Sequence, residues 1–158
     1  MGKITYLKIK ARLENVEELK PNPDHSFALK LKCSACGEIS DKWHDVNESD
    51  KFPGRTGRSE HHYVGKCKMC GRDNTLDIVQ GSIASYRNED SENFKSIISF
   101  EGRGLEVVDY QPGDNWCVKV DGSSKIFSDV DLSEKEWVEY DEKIQDSVGV
   151  YDLEHLIE

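Results

Sequence analysis

Tyr6-Leu7-Lys8-Ile9-Lys10-Ala11-Arg12-Leu13 sets Leu7, Ile9, Ala11 and Leu13 on one face, every second position. A period of two is what a half-buried β-strand requires. The same rhythm returns where Phe27, Leu29 and Leu31 share a face, and again at Trp116, Val118 and Val120. Further runs read as strands over Thr75 to Gln80, Ser96 to Glu101, Glu106 to Tyr110, Lys125 to Ser128 and Val148 to His155. Pro21-Asn22-Pro23-Asp24, Pro53-Gly54, Pro112-Gly113-Asp114-Asn115 and Asp121-Gly122 break these runs with residues suited to turns. An all-β chain follows. Only residues 133–145 compete: Ser133-Glu134-Lys135-Glu136 has capping-box form, and Trp137, Tyr140 and Ile144 fall at helical spacing.

The opening run has an echo. Ile97-Ile98-Ser99-Phe100-Glu101-Gly102-Arg103-Gly104 overlays Tyr6 to Leu13 with Arg103 on Arg12, and the same offset of 91 residues puts Pro112 on Pro21. After each proline, Phe27 to Leu31 matches Trp116 to Val120 with a two-residue change of register. The expectation is one domain, 1–158, built as a duplicated, sandwich-like pair of sheets with a pseudo-twofold repeat. Its halves are approximately 1–86 and 94–158, joined by a polar linker over Gly81 to Asn93. The repeat favours a short turn and then a strand through Trp137, over a helix.

Cys33-Ser34-Ala35-Cys36-Gly37 and Cys67-Lys68-Met69-Cys70-Gly71 each follow a strand-like run. Two intervening residues let both sulfurs of a pair converge on one ion, and four thiolates complete a tetrahedron about zinc at about 2.3 Å with no open position. The glycine closing each pair is free to take positive φ and turn amides toward the sulfurs. Cys33, Cys36, Cys67 and Cys70 are therefore the expected ligands of one structural Zn2+, in the N-terminal half. Gly122 and small polar residues stand where the second half would need cysteines. A metal-transfer or thiol-redox protein using the same cysteines is the alternative, although a dithiol redox pair belongs at a helix N-terminus and these pairs leave strands. Cys117 lies in an alternating run and reads as a packing residue. His61 and His62 read as exposed loop histidines, and Trp43, Trp116 and Trp137 as core.

Net charge is −10, from 31 acidic against 21 basic side chains, which opposes binding to phosphate backbones. Basic residues gather near the second cysteine pair at Lys51, Arg55, Arg58, Lys66, Lys68 and Arg72, against Glu60 alone between 51 and 72. An acidic protein partner at this end, met by Arg55, Arg58, Lys68 and Arg72, is the expected interaction, with no nucleic acid and no membrane. No Gly-x-Ser-x-Gly, phosphate loop or His-Glu-x-x-His is present, so a non-enzymatic adaptor is expected. The N-terminus has no apolar signal core, and the cysteine usage fits a reducing compartment, the cytoplasm or nucleus, with the chain a monomer.

Taken together, the whole chain resembles the eukaryotic CXXC-motif-containing zinc-binding family. The resemblance is carried by Met1-Gly2-Lys3-Ile4, by Leu31-Lys32-Cys33-Ser34-Ala35-Cys36-Gly37-Glu38-Ile39-Ser40-Asp41-Lys42-Trp43 and by Lys66-Cys67-Lys68-Met69-Cys70. Gly102-Arg103-Gly104-Leu105-Glu106 adds to it, as does Trp137 to Lys143 through Ser147-Val148-Gly149-Val150-Tyr151. That likeness implies an all-β fold and a zinc ion on Cys33, Cys36, Cys67 and Cys70, and no established reaction. The chain departs from the pattern at Gly102, where many members carry cysteine, so no thiol role there transfers.

Overall fold

Alternation in the sequence becomes alternation in burial. In the first strand, β1 (Lys3–Glu14), Leu7, Ile9 and Ala11 are buried while Lys8 and Lys10 are half-exposed between them. The computed structural model describes residues 2–158. The N-terminal half continues through β2 (Val16–Pro21), β3 (Ser26–Cys33), β4 (His44–Asn47), β5 (Phe52–Pro53), β6 (Glu60–His61), β7 (Tyr63–Lys66) and β8 (Asp73–Ile78). After β9 (Tyr86–Arg87) and a 3-10 turn, Asn88–Asp90, come β10 (Lys95–Arg103), β11 (Leu105–Gln111) and β12 (Trp116–Val120). The chain closes with β13 (Ile126–Val130), β14 (Trp137–Asp141) and β15 (Asp146–Ile157). No helix among the described residues is long and apolar enough to cross a membrane.

The largest sheet has six strands in the order β14-β15-β1-β10-β8-β7, with every pairing antiparallel. Exchanging β1 with β10, β15 with β8 and β14 with β7 maps that order onto itself. The same exchange relates β11-β3-β4 to β2-β12-β13, the latter extended by β9. Facing the large sheet are thus two smaller ones rather than a single partner. One core unites all three: Leu7, Ile98 and Phe100 from the large sheet meet Phe27, Leu29, Trp116 and Val118 from the small ones. Phe27 and Phe100 make an edge-on aromatic contact across the layers, 6.2 Å between centroids.

Residues 133–145 resolve as a turn and a strand. Lys135 takes φ 63° and its N–H donates to Leu132, after which β14 pairs with β15 from Trp137 to Asp141. At the β10–β11 junction, a β-carbon on Gly102 would lie 2.1 Å from the Leu105 carbonyl oxygen, so the turn closes this tightly only with glycine.

The stretch Gly81 to Asn93 is more than a linker. The β1–β15 ladder shifts register between Lys10 and Arg12, leaving Ala11 without partners there. Fully buried Tyr86 supplies one: its hydroxyl accepts from the Ala11 N–H at 3.2 Å. Glu92 supplies the other, donating its N–H to the Ala11 carbonyl at 2.8 Å. Buried backbone groups need partners, and this segment provides them.

Trp116 is buried as expected and Trp137 packs half-buried against the core. Trp43 is a correction. It is 38% exposed, and the Lys30 ammonium lies 5.1 Å from its ring centroid, a cation–π contact that holds it on the surface.

Candidate metal centre

Cys33 is the last residue of β3, and the period that buries Phe27, Leu29 and Leu31 also turns its sulfur inward. Cys67 directly follows β7, whose hairpin with β8 carries the second pair. Both turns have the same hydrogen-bond pattern. Gly37 N–H donates to the Cys33 carbonyl and Gly71 N–H to the Cys67 carbonyl, each at 2.8 Å. Cys33 N–H donates to Glu38 at 2.8 Å, and Cys67 N–H to Arg72 at 2.9 Å. Gly37 at φ 80° and Gly71 at φ 75° permit this close, because side chains rarely adopt that backbone region.

The two turns meet. Cys33 Sγ is 3.7 Å from Cys70 Sγ, Cys36 Sγ is 3.5 Å from Cys67 Sγ, and all four sulfurs lie within 4.8 Å of one another. A tetrahedron with bonds of about 2.3 Å has edges of about 3.8 Å, so the group already has the dimensions of a zinc site. Cys33 is buried, Cys67 half-buried, and Cys36 and Cys70 exposed, which places the centre at the rim of the fold.

Amides of the turns face the sulfurs. The Cys36 and Ala35 N–H groups outweigh burial and lower the Cys33 thiol to about 6. Those of Cys70 and Met69 likewise lower Cys67. Glu38 N–H also pulls Cys36 down, but the neighbouring sulfurs, Cys67 first, together with burial push that thiol up to about 12. Four thiolates in this space repel one another, and a divalent cation removes the conflict. The residues fit zinc, which would draw them into one tetrahedral set.

The first turn is anchored on the second half. Ser34 N–H donates to the Gly104 carbonyl at 2.9 Å. Buried Asn74, one residue into β8, orients its amide NH2 toward the same carbonyl at 3.1 Å and toward Asp73 O at 3.0 Å. In the symmetry-related position there are no cysteines. Gly122 of the β12–β13 turn instead lies near the β14–β15 turn, where a β-carbon on it would come to 3.8 Å from Ile144 Cγ2.

His61 and His62 are not free loop histidines, which corrects the sequence reading. His61 Nδ1 contacts Asp77 Oδ2 at 2.9 Å and its Nε2 contacts Ser59 Oγ at 3.0 Å; His62 Nδ1 accepts the Ile78 N–H at 2.9 Å. Both pin the excursion between the cysteine pairs onto β8. Ser59, His61 and Asp77 have the atom order of a hydrolase triad, yet Ser59 stands on an exposed hairpin and lines neither the cavity beside the cysteines nor the one between β1 and residues 134–136. Their sequence separation hid this tether. Cys117 is buried, and burial raises its thiol, as a packing residue requires. Of the basic residues, Arg58, Lys68 and Arg72 are exposed at this end, whereas Arg55 reaches Asp73 at 3.6 Å.

Residues 6–158 match the family described as CXXC motif containing zinc binding protein, eukaryotic. The human CXXC motif containing zinc binding protein is 47% identical over 156 residues, covering 98% of this chain and 97% of its own. A UPF0587 protein of Drosophila melanogaster is 49% identical over 149 residues, covering 93% of this chain and 91% of its own. The crystal structure of C1orf123 superposes with a TM-score of 0.93 at 44% identity, covering 99% of each chain. A hypothetical protein from Plasmodium falciparum gives a TM-score of 0.90 at 27% identity, also covering 99% of each.

Proposed function

This chain belongs to the eukaryotic CXXC motif containing zinc binding family, and on that footing we propose that Cys33, Cys36, Cys67 and Cys70 hold one structural zinc in a non-enzymatic adaptor. The mutual approach of the four sulfurs carries this reading. Four thiolates fill a tetrahedron, so the ion offers no position to a substrate or an activated water. What it supplies is a fixed relation between the β3–β4 and β7–β8 turns.

The adaptor surface is the basic end around those turns, and its partner is acidic. Arg58, Lys68 and Arg72 carry the attraction; Arg55 contributes less, because Asp73 partly neutralises it. Metal transfer is the second reading, favoured by the exposure of Cys36 and Cys70.

Element analysis after anaerobic purification separates the two. A structural site yields one zinc per chain that resists brief chelation, and charge reversal at Arg58 and Arg72 weakens partner capture without changing zinc content. Substoichiometric metal, with all five thiols reacting at once, replaces this reading with the transfer or redox one.

A further inference from the structure

A cavity of about 250 Å³ opens beside the metal centre. Buried Leu31 and Leu105 line it together with Tyr63 and exposed Ile39. Ligand sites for small molecules generally run from about 300 to 1,000 Å³, so this space suits one or two side chains better than a whole metabolite.

Next to the cavity is a free strand edge. β7 is the last strand of the large sheet, and its backbone from Val64 to Lys66 has no hydrogen-bond partner on the side away from β8, among the described residues. Tyr63 and Gly65, on either side of exposed Val64, line the cavity, and Lys66 reaches it from the end of the strand. A strand added along this edge would send every second side chain toward the same space.

The opening gathers unpaired cations. Elsewhere Lys8 pairs with Glu158, Arg87 with Glu18, Lys95 with Asp90 and Lys119 with Glu17, while Lys125, Lys135 and Lys143 lack an ion pair among the described residues. Lys42, Lys66 and Lys68, all lining the cavity, have no ion-pair partner among the described residues. Glu38 and Asp41 line it too and offset part of this charge. At His44 burial lowers the pKa most and Lys30 next; Asp45 opposes them, and Lys42 and Lys68 add smaller cationic contributions.

We propose that the cavity and the free edge of β7 together receive an extended, carboxylate-bearing segment of a partner protein, with one of its apolar side chains seated over Leu31 and Leu105. Backbone pairing along Val64 to Lys66 supplies affinity, the cavity selects the side chain, and Lys42, Lys66 and Lys68 select the charge. This rests on the adaptor reading above and specifies how the acidic partner binds.

The test uses the zinc-loaded full chain and a labelled ten-residue peptide of alternating valine and glutamate, with a valine–lysine peptide as control. Expected are saturable anisotropy for the acidic peptide and amide shifts confined to residues 39–44 and 63–68. Lys42→Glu with Lys66→Glu should weaken binding about tenfold, as should about 0.5 M salt, which screens exposed charges within a few ångströms. Ile39→Asp should weaken it at unchanged zinc content. Equal binding of the lysine peptide, shifts elsewhere, no effect of either variant, or full displacement by free glutarate would overturn the proposal. Absence of peptide binding with one zinc still bound rejects the docking mode alone; loss of zinc in the same sample would instead indict the structural-zinc reading.

Discussion

Ser34, one residue past the first cysteine ligand position, donates its N–H to the carbonyl of Gly104 at 2.9 Å, so the metal-centre turn hangs on the strand junction that opens the second half. Gly104 takes φ 82°, and a β-carbon there would come within 2.2 Å of the Asn74 amide. Its carbonyl therefore sits where Ser34 and Asn74 both need it. The metal centre is coupled to the second half through backbone geometry as well as through the core.

Gly104→Ala should reveal that coupling. The substitution imposes both the left-handed backbone penalty and the collision with Asn74, which together should cost about 1–3 kcal/mol. Urea unfolding of the zinc-loaded variant measures the loss, and zinc release to a chelator should accelerate. An unchanged midpoint with unchanged release would show that the junction yields freely.

Removing zinc, or replacing a ligand by Cys36→Ser, should loosen the structure in a defined order. Hydrogen exchange should rise first in residues 33–44 and 63–74, then around Gly102 to Glu106 through the Ser34 tether. Strands β12 to β15 should keep their protection, because Val118, Val120, Val148 and Val150 are buried in the common core away from the cysteines. Metal binding stabilises what it orders, and here that is one end of the fold. Uniform loss of protection across 97–155 would contradict this.

The elements legible in the sequence are those whose alternation survives folding. Trp116 to Val120 is read at its true limits, since Trp116, Val118 and Val120 all reach the core. β2 escapes because Val16 and Leu19 are three apart, and its pairing with β12 slips between Lys119 and Val120. Tyr86 and Ile83, three apart in a short polar stretch, set up no period of two, so nothing marks β9. The cysteines were legible because each pair is local and its spacing carries the chemistry. Their tether to Gly104, and that of His61 to Asp77, join residues distant in sequence and leave no local trace.

Tyr86→Phe tests the role found for Gly81 to Asn93. The hydroxyl accepts from Ala11 N–H at 3.2 Å and lies 2.6 Å from the Asn93 carbonyl oxygen, to which it is placed to donate. Phenylalanine fills the same space but leaves the Ala11 N–H buried and unpaired, a cost of about 1–3 kcal/mol. Chemical denaturation should show that loss with zinc content unchanged. A variant as stable as wild type would mean that the segment is held by Glu92 alone.

His25 should make the core acid-sensitive. It is buried between Phe27 and Trp116, with ring centroids 4.5 and 4.8 Å away, and its Nε2 has no partner. Nδ1 lies 3.2 Å from the Asn115 carbonyl, which fixes the neutral ring with its proton on Nδ1. Burial lowers the folded pKa below 6.5, more than the Asn115 carbonyl raises it. The unfolded chain therefore binds more protons at that position as pH falls, so stability is fully present above about 6.5 and is lost below it, through the folded pKa. His25→Phe keeps the aromatic contacts, and Asn115 O still accepts the Asn22 N–H at 3.1 Å. The variant should unfold in urea within about 1 kcal/mol of wild type at pH 8 and be the more stable of the two near pH 5. Comparing wild type and variant across that range, both with excess zinc, cancels acid effects on the cysteines common to the two. Parallel stability curves would show that His25 keeps the same protonation equilibrium folded and unfolded.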